Sequence, residues 1–478
     1  MGEPPRLENA LPSRRGERLA RSAAVLPFER SALLTALADR RFCTLREENG
    51  EECRRYVGQI RQDGGVRWLF LAPCVKPSCP DVAPAARLRL TLRGRWKAVR
   101  YDTLTGSTQS LPGKRRGKVE EEGSTLLEPV LYPQDSLLLR LEPAEEAGED
   151  QEPPSSKPLR RMIRRAEGAC FTREEPNVLL LDRFQGLLDG KPVGPAEGEE
   201  VLRLDNRIRD MLGLPPRTNK FAQPWVTPAQ LPKNKVTIVT NIYAACPQEG
   251  VSLGLEREEE ACIRLNGEPV PMKDCGWYVD RAISTVPLPP LRAGENRLEV
   301  TWPYGPRSGL ESLYILGDFD VELSGTRAVI RPPRRELGFG SITGQGMPFY
   351  GGNLTYRLPV DMPFAGGRLK VRVPAYRGAL VKAALDGKPL GRIVFAPYEA
   401  SAEEVAAGPH TLELTLYGNR FNTFGSLHNI NTADRWYGFT HWRSTGDAWC
   451  EEYRLKETGI LAGPEILLEE RHAAVNEK

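Results

Sequence analysis

Alternation of apolar and polar residues dominates the hydropathy pattern of this chain. In ARLRLTLRG, Leu88, Leu90 and Leu92 alternate with polar residues, and LTYRLPV (354–360) repeats the pattern. A period of two places successive side chains on opposite faces of a β-strand. Nearly every periodic segment after the first forty residues has this period, so the sequence predicts an all-β chain built of sandwiches.

Two segments show the helical period instead. From Pro27, the residues Phe28, Leu33 and Leu37 form one apolar stripe, which we expect to pack on a sheet. The second segment, EEVLRLDNRIRDMLG, carries apolar residues at every fourth position and ends at Gly213, a residue suited to the left-handed end of a helix. The sequence therefore predicts one helix near residue 30 and another within 199–213.

An internal repeat connects two later parts of the chain. IRLNGEPV (263–270) and AALDGKPL (383–390) each hold a strand, an Asn-Gly or Asp-Gly turn, a Pro and an aliphatic residue. In GENRLEVTW and GPHTLELTL, which follow them, a glycine stands four residues before a leucine of the next strand. Agreement in both turn chemistry and strand phase predicts two copies of one jelly-roll-like module.

Composition and charge exclude several classes of protein. Lys and Arg total 66 against 63 Asp and Glu, a net charge of +3, which argues against nucleic acid as a partner. The basic runs GKRRGK and LRRMIRR lack interleaved aromatic residues, so we interpret them as solvated surface. The sequence lacks any run of about 18 apolar residues and any export signal, so no membrane partner is expected.

The nine cysteines are too sparse for a disulfide scaffold, and the sequence therefore favours the reduced, cytoplasmic compartment. Cys74 and Cys79 have no second Cys or His pair nearby, so no metal is expected. Phosphate-cradling glycine loops are absent from the sequence, and no cofactor is predicted. The four histidines lie far apart in the sequence, and the carboxylates near aromatic residues show no spacing that demands catalysis: Asp318, Asp434, Asp447, Glu451 and Glu452.

The densest mixture of polar and aromatic residues runs from Tyr417 to Trp449 and is called here the aromatic excursion. Sugars are held by flat aromatic faces and by amide or carboxylate groups, so this mixture indicates a carbohydrate contact. The candidate carbohydrate-binding residues are Asn419, His428, Asn429, Trp436, Trp442, Asp447 and Trp449. The alternative, which we favour, is that the excursion packs within the protein or docks on another domain.

Three segments carry a resemblance to a known family: LESLYILGDF, QGMPFYGGNLTY and the later TGDAWCEEYRLKETGI. From about Val66 onward the chain resembles the C-terminal β-sandwich modules of large bacterial glycoside hydrolases. The relatives are α-L-rhamnosidase-like enzymes with family 2 type, galactose-binding-like, sugar-binding domains. The resemblance implies an Ig-like sandwich followed by two galactose-binding-like jelly-roll sandwiches, with catalytic residues on a separate barrel that precedes them.

Five segments follow from the pattern and the resemblance together. They are a truncated domain remnant with one helix (1–53), an Ig-like β-sandwich (54–142), an acidic and Pro-rich linker (143–165) and two galactose-binding-like sandwiches (166–330 and 331–470). The leading hypothesis is a noncatalytic, carbohydrate-handling region separated from its catalytic barrel, with an oligosaccharide or glycoside as its ligand. The alternative is a free-standing β-sandwich protein that binds carbohydrate or another partner.

Overall fold

A computed structural model shows how these segments fold. It describes residues 6–9, 11–21, 26–76, 81, 84–116, 123–144, 160–217, 230–273, 276–431 and 438–470. The chain divides into two compact units, residues 1–157 and 158–478. Each unit is described by itself below.

The first unit consists of short helices followed by strands. The α-helices are α1 (Arg15–Arg21) and α2 (Arg30–Ala36), and a 3-10 turn covers Ala38–Arg40. The strands are β1 (Leu7–Glu8), β2 (Leu11–Pro12), β3 (Cys43–Arg46), β4 (Tyr56–Asp63), β5 (Val66–Pro73), β6 (Ala86–Arg87), β7 (Arg89–Arg93), β8 (Trp96–Tyr101), β9 (Thr108–Leu111), β10 (Gly113–Arg116), β11 (Ser124–Leu127), β12 (Val130–Leu131) and β13 (Leu137–Pro143).

Two antiparallel sheets share the core of this unit. One has the strand order β4-β5-β13-β8-β9 and the other β10-β11-β7-β3. Leu88, Leu90 and Leu92 are fully buried against Leu69 and Leu139 of the first sheet, so the inward face predicted from their alternation is confirmed. Because side chains of both sheets fill one core, the unit is a β-sandwich.

The N-terminal part of this unit departs from expectation at two places. The apolar stripe near residue 30 lies on α2, but α2 buries none of its residues and Phe28 is 94% exposed. Strand β3 pairs with β7, and Cys53 lies in the sandwich core. The division at residue 53 thus separates β3 from the sheet that it completes.

The second unit holds the remaining strands and helices. The helices are α3 (Val201–Met211) and α4 (Phe421–Phe424), with 3-10 turns at Glu258–Glu260, Ile342–Gly344, Phe439–Arg443 and Gly446–Ala448. The strands are β14 (Arg160–Arg165), β15 (Gly168–Arg173), β16 (Asn177–Leu181), β17 (Arg183–Leu188), β18 (Lys191–Val193), β19 (Glu199–Glu200), β20 (Asn234–Ala244), β21 (Ser252–Glu256), β22 (Cys262–Leu265), β23 (Glu268–Pro269), β24 (Gly276–Tyr278), β25 (Asp280–Pro287), β26 (Gly294–Tyr304), β27 (Leu313–Gly317), β28 (Asp320–Ser324), β29 (Arg327–Arg331), β30 (Glu336–Gly338), β31 (Leu354–Met362), β32 (Gly367–Arg372), β33 (Tyr376–Arg377), β34 (Leu380–Leu385), β35 (Lys388–Ile393), β36 (Glu399–Val405), β37 (Gly408–Tyr417), β38 (Gly459–Ile460) and β39 (Glu465–Glu470).

Two β-sandwiches, called here module A and module B, make up this unit. Module A spans β16 to β29, and its sheets run β16-β27-β21-β25-β24 and β18-β17-β20-β26-β22-β23. Module B consists of β14, β15 and β30 to β39, with sheets β14-β39-β32-β36 and β30-β15-β31-β37-β34-β35. Module A is therefore inserted between β15 and β30 of module B.

The two modules repeat one topology. Strands β17-β20-β26-β22-β23 of module A match β15-β31-β37-β34-β35 of module B, and β16-β27-β21-β25 match β14-β39-β32-β36. Both series also occur in the same order along the chain. The connection between β17 and β20 carries α3 in module A, and the corresponding connection of module B carries the whole of module A. The predicted repeat is confirmed.

The matched hairpins agree in atomic detail. Asn266 and Asp386 both adopt a positive φ, as do Gly267 and Gly387 after them, which is the backbone of a type I′ turn. The Oδ1 atom of Asn266 accepts a hydrogen bond from the Arg297 amide at 3.0 Å, and Oδ1 of Asp386 accepts one from the Thr411 amide at 2.8 Å. The turn side chain thus fixes the neighbouring strand in the same way in each copy.

The predicted helix within 199–213 is α3, and it packs against β17. Glu200 caps its first turn, and Gly213 adopts the left-handed conformation just beyond its end. A Cβ atom on Gly186 of β17 would lie 2.7 Å from the Leu204 side chain, so the absence of a side chain there lets the helix approach the sheet.

The all-β fold class is confirmed, but the predicted division at residues 166 and 331 does not follow the sheets. It assigns β15 to the first jelly roll, whereas β15 pairs with β30 and β31 of module B. The predicted linker ends in β14, which pairs with β39, and its residues 145–159 lie outside the described part. Within the described ranges, no helix is long and apolar enough to cross a bilayer.

Candidate functional site

The candidate site lies where the aromatic excursion of module B packs on module A. The excursion follows β37 and contains α4 and the turns Phe439–Arg443 and Gly446–Ala448. Nη1 of Arg443 donates a hydrogen bond to the Leu202 carbonyl of α3, and the ring of Phe424 meets that of Tyr314 edge-on at 5.4 Å. These contacts support the favoured interpretation that the excursion packs within the protein.

A cavity of about 170 Å³ remains between the two surfaces. Module A supplies four carboxyl side chains to its lining, and the excursion supplies two imidazoles, a serine and an indole. The polar and aromatic lining residues are Asp182, Glu200, Glu256, Glu311, Ser312, Tyr314, Thr423, Phe424, Ser426, His428, His441 and Trp442. Trp442 is 37% exposed, and its Nε1 donates to the Phe424 carbonyl at 2.6 Å.

Asp182 connects the excursion to module A through two hydrogen bonds. Its Oδ2 lies 3.1 Å from Nε2 of His428, and its Oδ1 accepts a hydrogen bond of 2.7 Å from the Tyr453 hydroxyl. Nδ1 of His428 lies 2.8 Å from the Cys450 carbonyl oxygen, so both ring nitrogens face acceptors. Burial lowers the pKa of His428, but the hydrogen bond and charge of Asp182, the Cys450 carbonyl and the charge of Glu200 together outweigh it, so the net pKa is raised. A charged imidazolium therefore fits this position.

Glu200 is a buried carboxyl group at the start of α3. Its side chain accepts hydrogen bonds from the backbone N–H groups of Leu202 and Arg203 at 3.1 and 3.0 Å, as expected for an N-cap. Burial raises the pKa of Glu200 to about 7, against the opposing effect of these two donors. The Glu200 carboxyl group therefore caps α3 and also lines the cavity.

Glu256 and Glu311 form the carboxylate end of the cavity. Nη1 of Arg217 donates to Oε1 of Glu311 at 2.9 Å. Glu256 receives no side-chain hydrogen bond from the described residues. Burial raises the pKa of both groups, and the negative charge of Glu311 raises that of Glu256 further. Glu256 is thus an exposed carboxylate with a raised pKa beside a like charge.

Ser426 presents a buried hydroxyl that lacks a partner. The residue is 4% exposed and lines the cavity, and its Oγ makes no hydrogen bond with any described residue. Buried hydroxyl groups are normally paired, because an unpaired one costs about 1–3 kcal/mol. The hydroxyl is therefore available to a polar ligand atom in the cavity.

Two of the predicted carbohydrate-binding residues, His428 and Trp442, line the cavity. Trp449 does not line the cavity but stacks on His428, with ring centroids 4.9 Å apart. The guanidinium of Arg203 lies over the Trp449 ring, 4.4 Å from its centroid. These three residues are brought together by the excursion. Whether they bind sugar stays a prediction.

Three other predicted residues, Asn419, Asn429 and Asp447, do not line the cavity. Oδ1 of Asn419 accepts from the Phe421 amide at the start of α4, and Oδ1 of Asn429 accepts from the Asn431 amide. Asp447 is exposed on a 3-10 turn. Trp436 lies outside the described residues.

The sequence interpretation missed the acidic half of the cavity. Glu256 ends the alternating strand SLGLE, at a position where a polar residue is expected to face solvent. Glu311 lies in the loop before β27. The one available signal was at Glu200, which the helix pattern had already placed in a first turn. Among the described residues, no group of three or more His, Cys, Asp or Glu is placed to hold a metal ion.

A larger cavity, of about 450 Å³, shares Leu180 and Asp182 with the first. Three of its side chains are engaged with the protein. Arg183 pairs with Glu451, Gln185 donates to the Ala196 carbonyl, and the Tyr243 ring lies under the Arg327 guanidinium. The smaller cavity is therefore the better candidate site.

Comparisons with known proteins leave the family open. Neither a protein-family model nor a curated protein matches the chain. Among solved structures, a rhamnosidase from Novosphingobium sp. PP1Y is 11% identical with a TM-score of 0.39, over 92% of this chain and 26% of that one. The α-L-rhamnosidase of Streptomyces avermitilis, complexed with L-rhamnose, is 12% identical with a TM-score of 0.25, over 89% of this chain and 39% of that one.

A β-D-mannosidase from Dictyoglomus thermophilum gives 14% identity and a TM-score of 0.18, over 51% of this chain and 31% of that one. The chain spans between about a quarter and two-fifths of the length of these three glycoside hydrolases. At such TM-scores the likeness carries no argument about activity.

Proposed function

We propose that this chain is a noncatalytic carbohydrate-handling protein that binds a sugar in the cavity between module A and the aromatic excursion. One observation carries the proposal: the cavity combines an accessible indole, four carboxyl groups and the unpartnered hydroxyl of Ser426. Apolar sugar faces pack on aromatic rings, and sugar hydroxyls donate to carboxylates.

The size of the cavity favours one sugar ring. Sites for drug-sized ligands measure about 300–1,000 Å³, whereas this cavity measures about 170 Å³. A longer oligosaccharide or glycoside would place one residue inside and extend from the opening near Trp442. The ligand proposed is therefore a terminal sugar.

By the resemblance noted above, modules A and B would be galactose-binding-like domains of a large bacterial glycoside hydrolase. In that arrangement they would serve a separate catalytic barrel domain and present a glycoside to it. A free-standing carbohydrate-binding protein is the alternative. Both versions require a sugar to bind the cavity, and both are tested by the same titration.

Replacement of Ser426 by alanine should separate ligand binding from folding. The change removes an unpaired buried hydroxyl, so the thermal midpoint should stay level or rise. Affinity for the best-binding sugar of a monosaccharide panel should fall by about 2- to 10-fold, the effect of one hydrogen bond. Isothermal titration calorimetry and thermal denaturation measure the two quantities.

Asp447→Ala is the matched control, because Asp447 is exposed in the same excursion. It should change neither quantity. Ser426→Ala is sharper than Trp442→Ala, since Trp442 also holds the Phe424 carbonyl through its indole N–H. A lower midpoint with unchanged affinity would make Ser426 structural. Failure of every sugar to bind the parent chain would refute the proposed function.

The chain should not hydrolyse glycosides. Acid–base hydrolysis needs two available carboxyl groups, but Asp182, Glu200 and Glu311 are engaged with His428, the α3 backbone and Arg217. Release of nitrophenol from a panel of nitrophenyl glycosides should stay at the buffer rate. Turnover that disappears in Glu256→Gln would contradict this expectation.

A further inference from the structure

We infer that the sugar held in this cavity carries a protonated amine, so that the ligand class is amino sugars. The inference rests on the proposed function and narrows it. It starts from the distribution of charge around the cavity, where the lining holds four carboxyl groups and two imidazoles, and none of the described lining residues is Lys or Arg.

The carboxyl groups differ in how well they are paired. Asp182 bonds His428 and Tyr453, Glu200 caps α3, and Glu311 accepts from Arg217. Glu256 receives no hydrogen bond or ion pair from a side chain in the described ranges. Glu256 is exposed at the end of β21 and lines the cavity, so its carboxylate is accessible to a cationic group on the ligand.

Glu256 and Glu311 both line this end of the cavity. Glu256 is the last residue of β21, and Glu311 lies two residues before β27, the strand that pairs with β21. Two carboxylates at neighbouring strand ends form a site for a single ammonium group, which can donate a hydrogen bond to each.

The remaining walls suit the same cation. Tyr314, Phe424 and Trp442 bring three aromatic rings to the lining. The electron-rich faces of such rings attract an ammonium group, whereas a neutral hydroxyl gains much less from them. The cavity therefore favours an amine at its carboxylate end over a hydroxyl.

The other groups of an amino sugar also find partners. The buried Ser426 hydroxyl, which lacks a partner among the described residues, is available to a ring hydroxyl. The Trp442 indole offers an apolar face to the ring carbons. Arg217 pairs with Glu311 and lies 3.9 Å from Asp205, and Arg443 lies 4.0 Å from the same Asp205 carboxylate, so the ion pairs of both guanidinium groups are with carboxylates other than Glu256.

The test is a calorimetric titration of the full chain at pH 7 with glucosamine and galactosamine, their neutral parent sugars, their N-acetyl derivatives and methylammonium. The two amino sugars should bind about tenfold or more tightly than the neutral and acetylated sugars, as expected for a hydrogen bond to a charged group. Methylammonium should bind more weakly than either amino sugar, because it lacks the ring.

Glu256→Gln should reduce the preference for amino sugars to within about threefold while neutral-sugar affinity changes little, because the amide keeps the shape but loses the charge. Glu268→Gln, on exposed β23 of the same module, is the control and should keep the preference. Thermal denaturation verifies that both variants are folded.

Three outcomes would overturn the inference. If neutral sugars bind as tightly as amino sugars, the amine specificity is wrong and the proposed function stands. If methylammonium binds as tightly as glucosamine, the site is a cation site that does not recognise a sugar. If no ligand binds, the proposed function and the inference both fall.

Discussion

Asp182→Ala should lower the free energy of unfolding by about 3–5 kcal/mol, the cost of removing one partner from a buried ion pair. Asp182 is 4% exposed and holds His428 of the excursion and the Tyr453 hydroxyl that follows it. Its loss leaves a buried imidazolium without its closest counter-charge and two donors without their acceptor. Urea denaturation, followed through the unfolding transition of the second unit, measures this change in free energy.

The pH dependence of this effect has a definite sign. Because the folded pKa of His428 is raised above the unfolded value near 6.5, its stabilising contribution is fully present below that value. The contribution is lost as the pH rises through the folded pKa. The difference in stability between the parent chain and Asp182→Ala should therefore shrink from pH 6 to pH 9.

Asp447→Ala serves again as the control and should change stability by less than about 0.5 kcal/mol, as is usual for an exposed position. A difference between parent and Asp182→Ala that grows toward pH 9 would contradict the ion pair. So would an Asp182→Ala protein as stable as the control, because the excursion would then be held by other contacts.

Asp205→Ala should be similarly disruptive, with a loss of about 3–5 kcal/mol. Asp205 lies on α3 and is fully buried. Its Oδ1 accepts hydrogen bonds from the Tyr304 hydroxyl at 2.6 Å and the Leu310 amide at 3.0 Å. Its Oδ2 lies 3.9 Å from Arg217, the guanidinium that also pairs with Glu311 of the cavity.

Asp210→Ala is the matched control, since Asp210 is exposed on the same helix. It should leave the urea midpoint within error of the parent. An unchanged midpoint in Asp205→Ala would show that Arg217 and the Tyr304 hydroxyl find other partners. If Asp205→Ala unfolds the second unit, sugar titration of Asp205→Asn, which keeps the Tyr304 acceptor, would still report on the cavity.

The repeat was predictable from the sequence because its signal is local. A type I′ turn requires two consecutive residues of positive φ, and Asn-Gly and Asp-Gly at 266 and 386 meet that requirement within their own hairpins. The α3 helix was predictable for the same reason: its apolar period, Glu200 cap and Gly213 end lie within fifteen residues.

Strand partners separated by long stretches of chain were not predictable. The segments RRYVGQI, VRWLFLAP and ARLRLTLRG all alternate, but β5 pairs with β4 and β13 while β7 belongs to the other sheet. Alternation specifies which face is buried and leaves the neighbour unspecified. The same limit hid the pairing of β15 with β31.

The sequence predicted the residues that the excursion brings to the candidate site, but it did not predict the carboxylates of module A. Trp442 and His428 stand in a segment dense with aromatic and polar residues, which marks it as unusual. Glu256 and Glu311 resemble ordinary surface charges in the sequence, because only the pairing of β21 with β27 brings the strand ends that carry them to one cavity. Ser426 gives no sequence signal, since serine is common in loops and its missing partner is a property of packing.

The nesting of module A inside module B determines an order of events during protein synthesis. Arg165 of β14 and Glu465 of β39 form a pair across 300 residues. At elongation rates of about 5–20 residues per second, β14 waits roughly 15–60 s for its partner. Module A is complete within that interval and can fold first, which brings β15 close to β30 and reduces the entropy cost of closing module B. The folded inserted module therefore shortens the effective loop that the enclosing module must close.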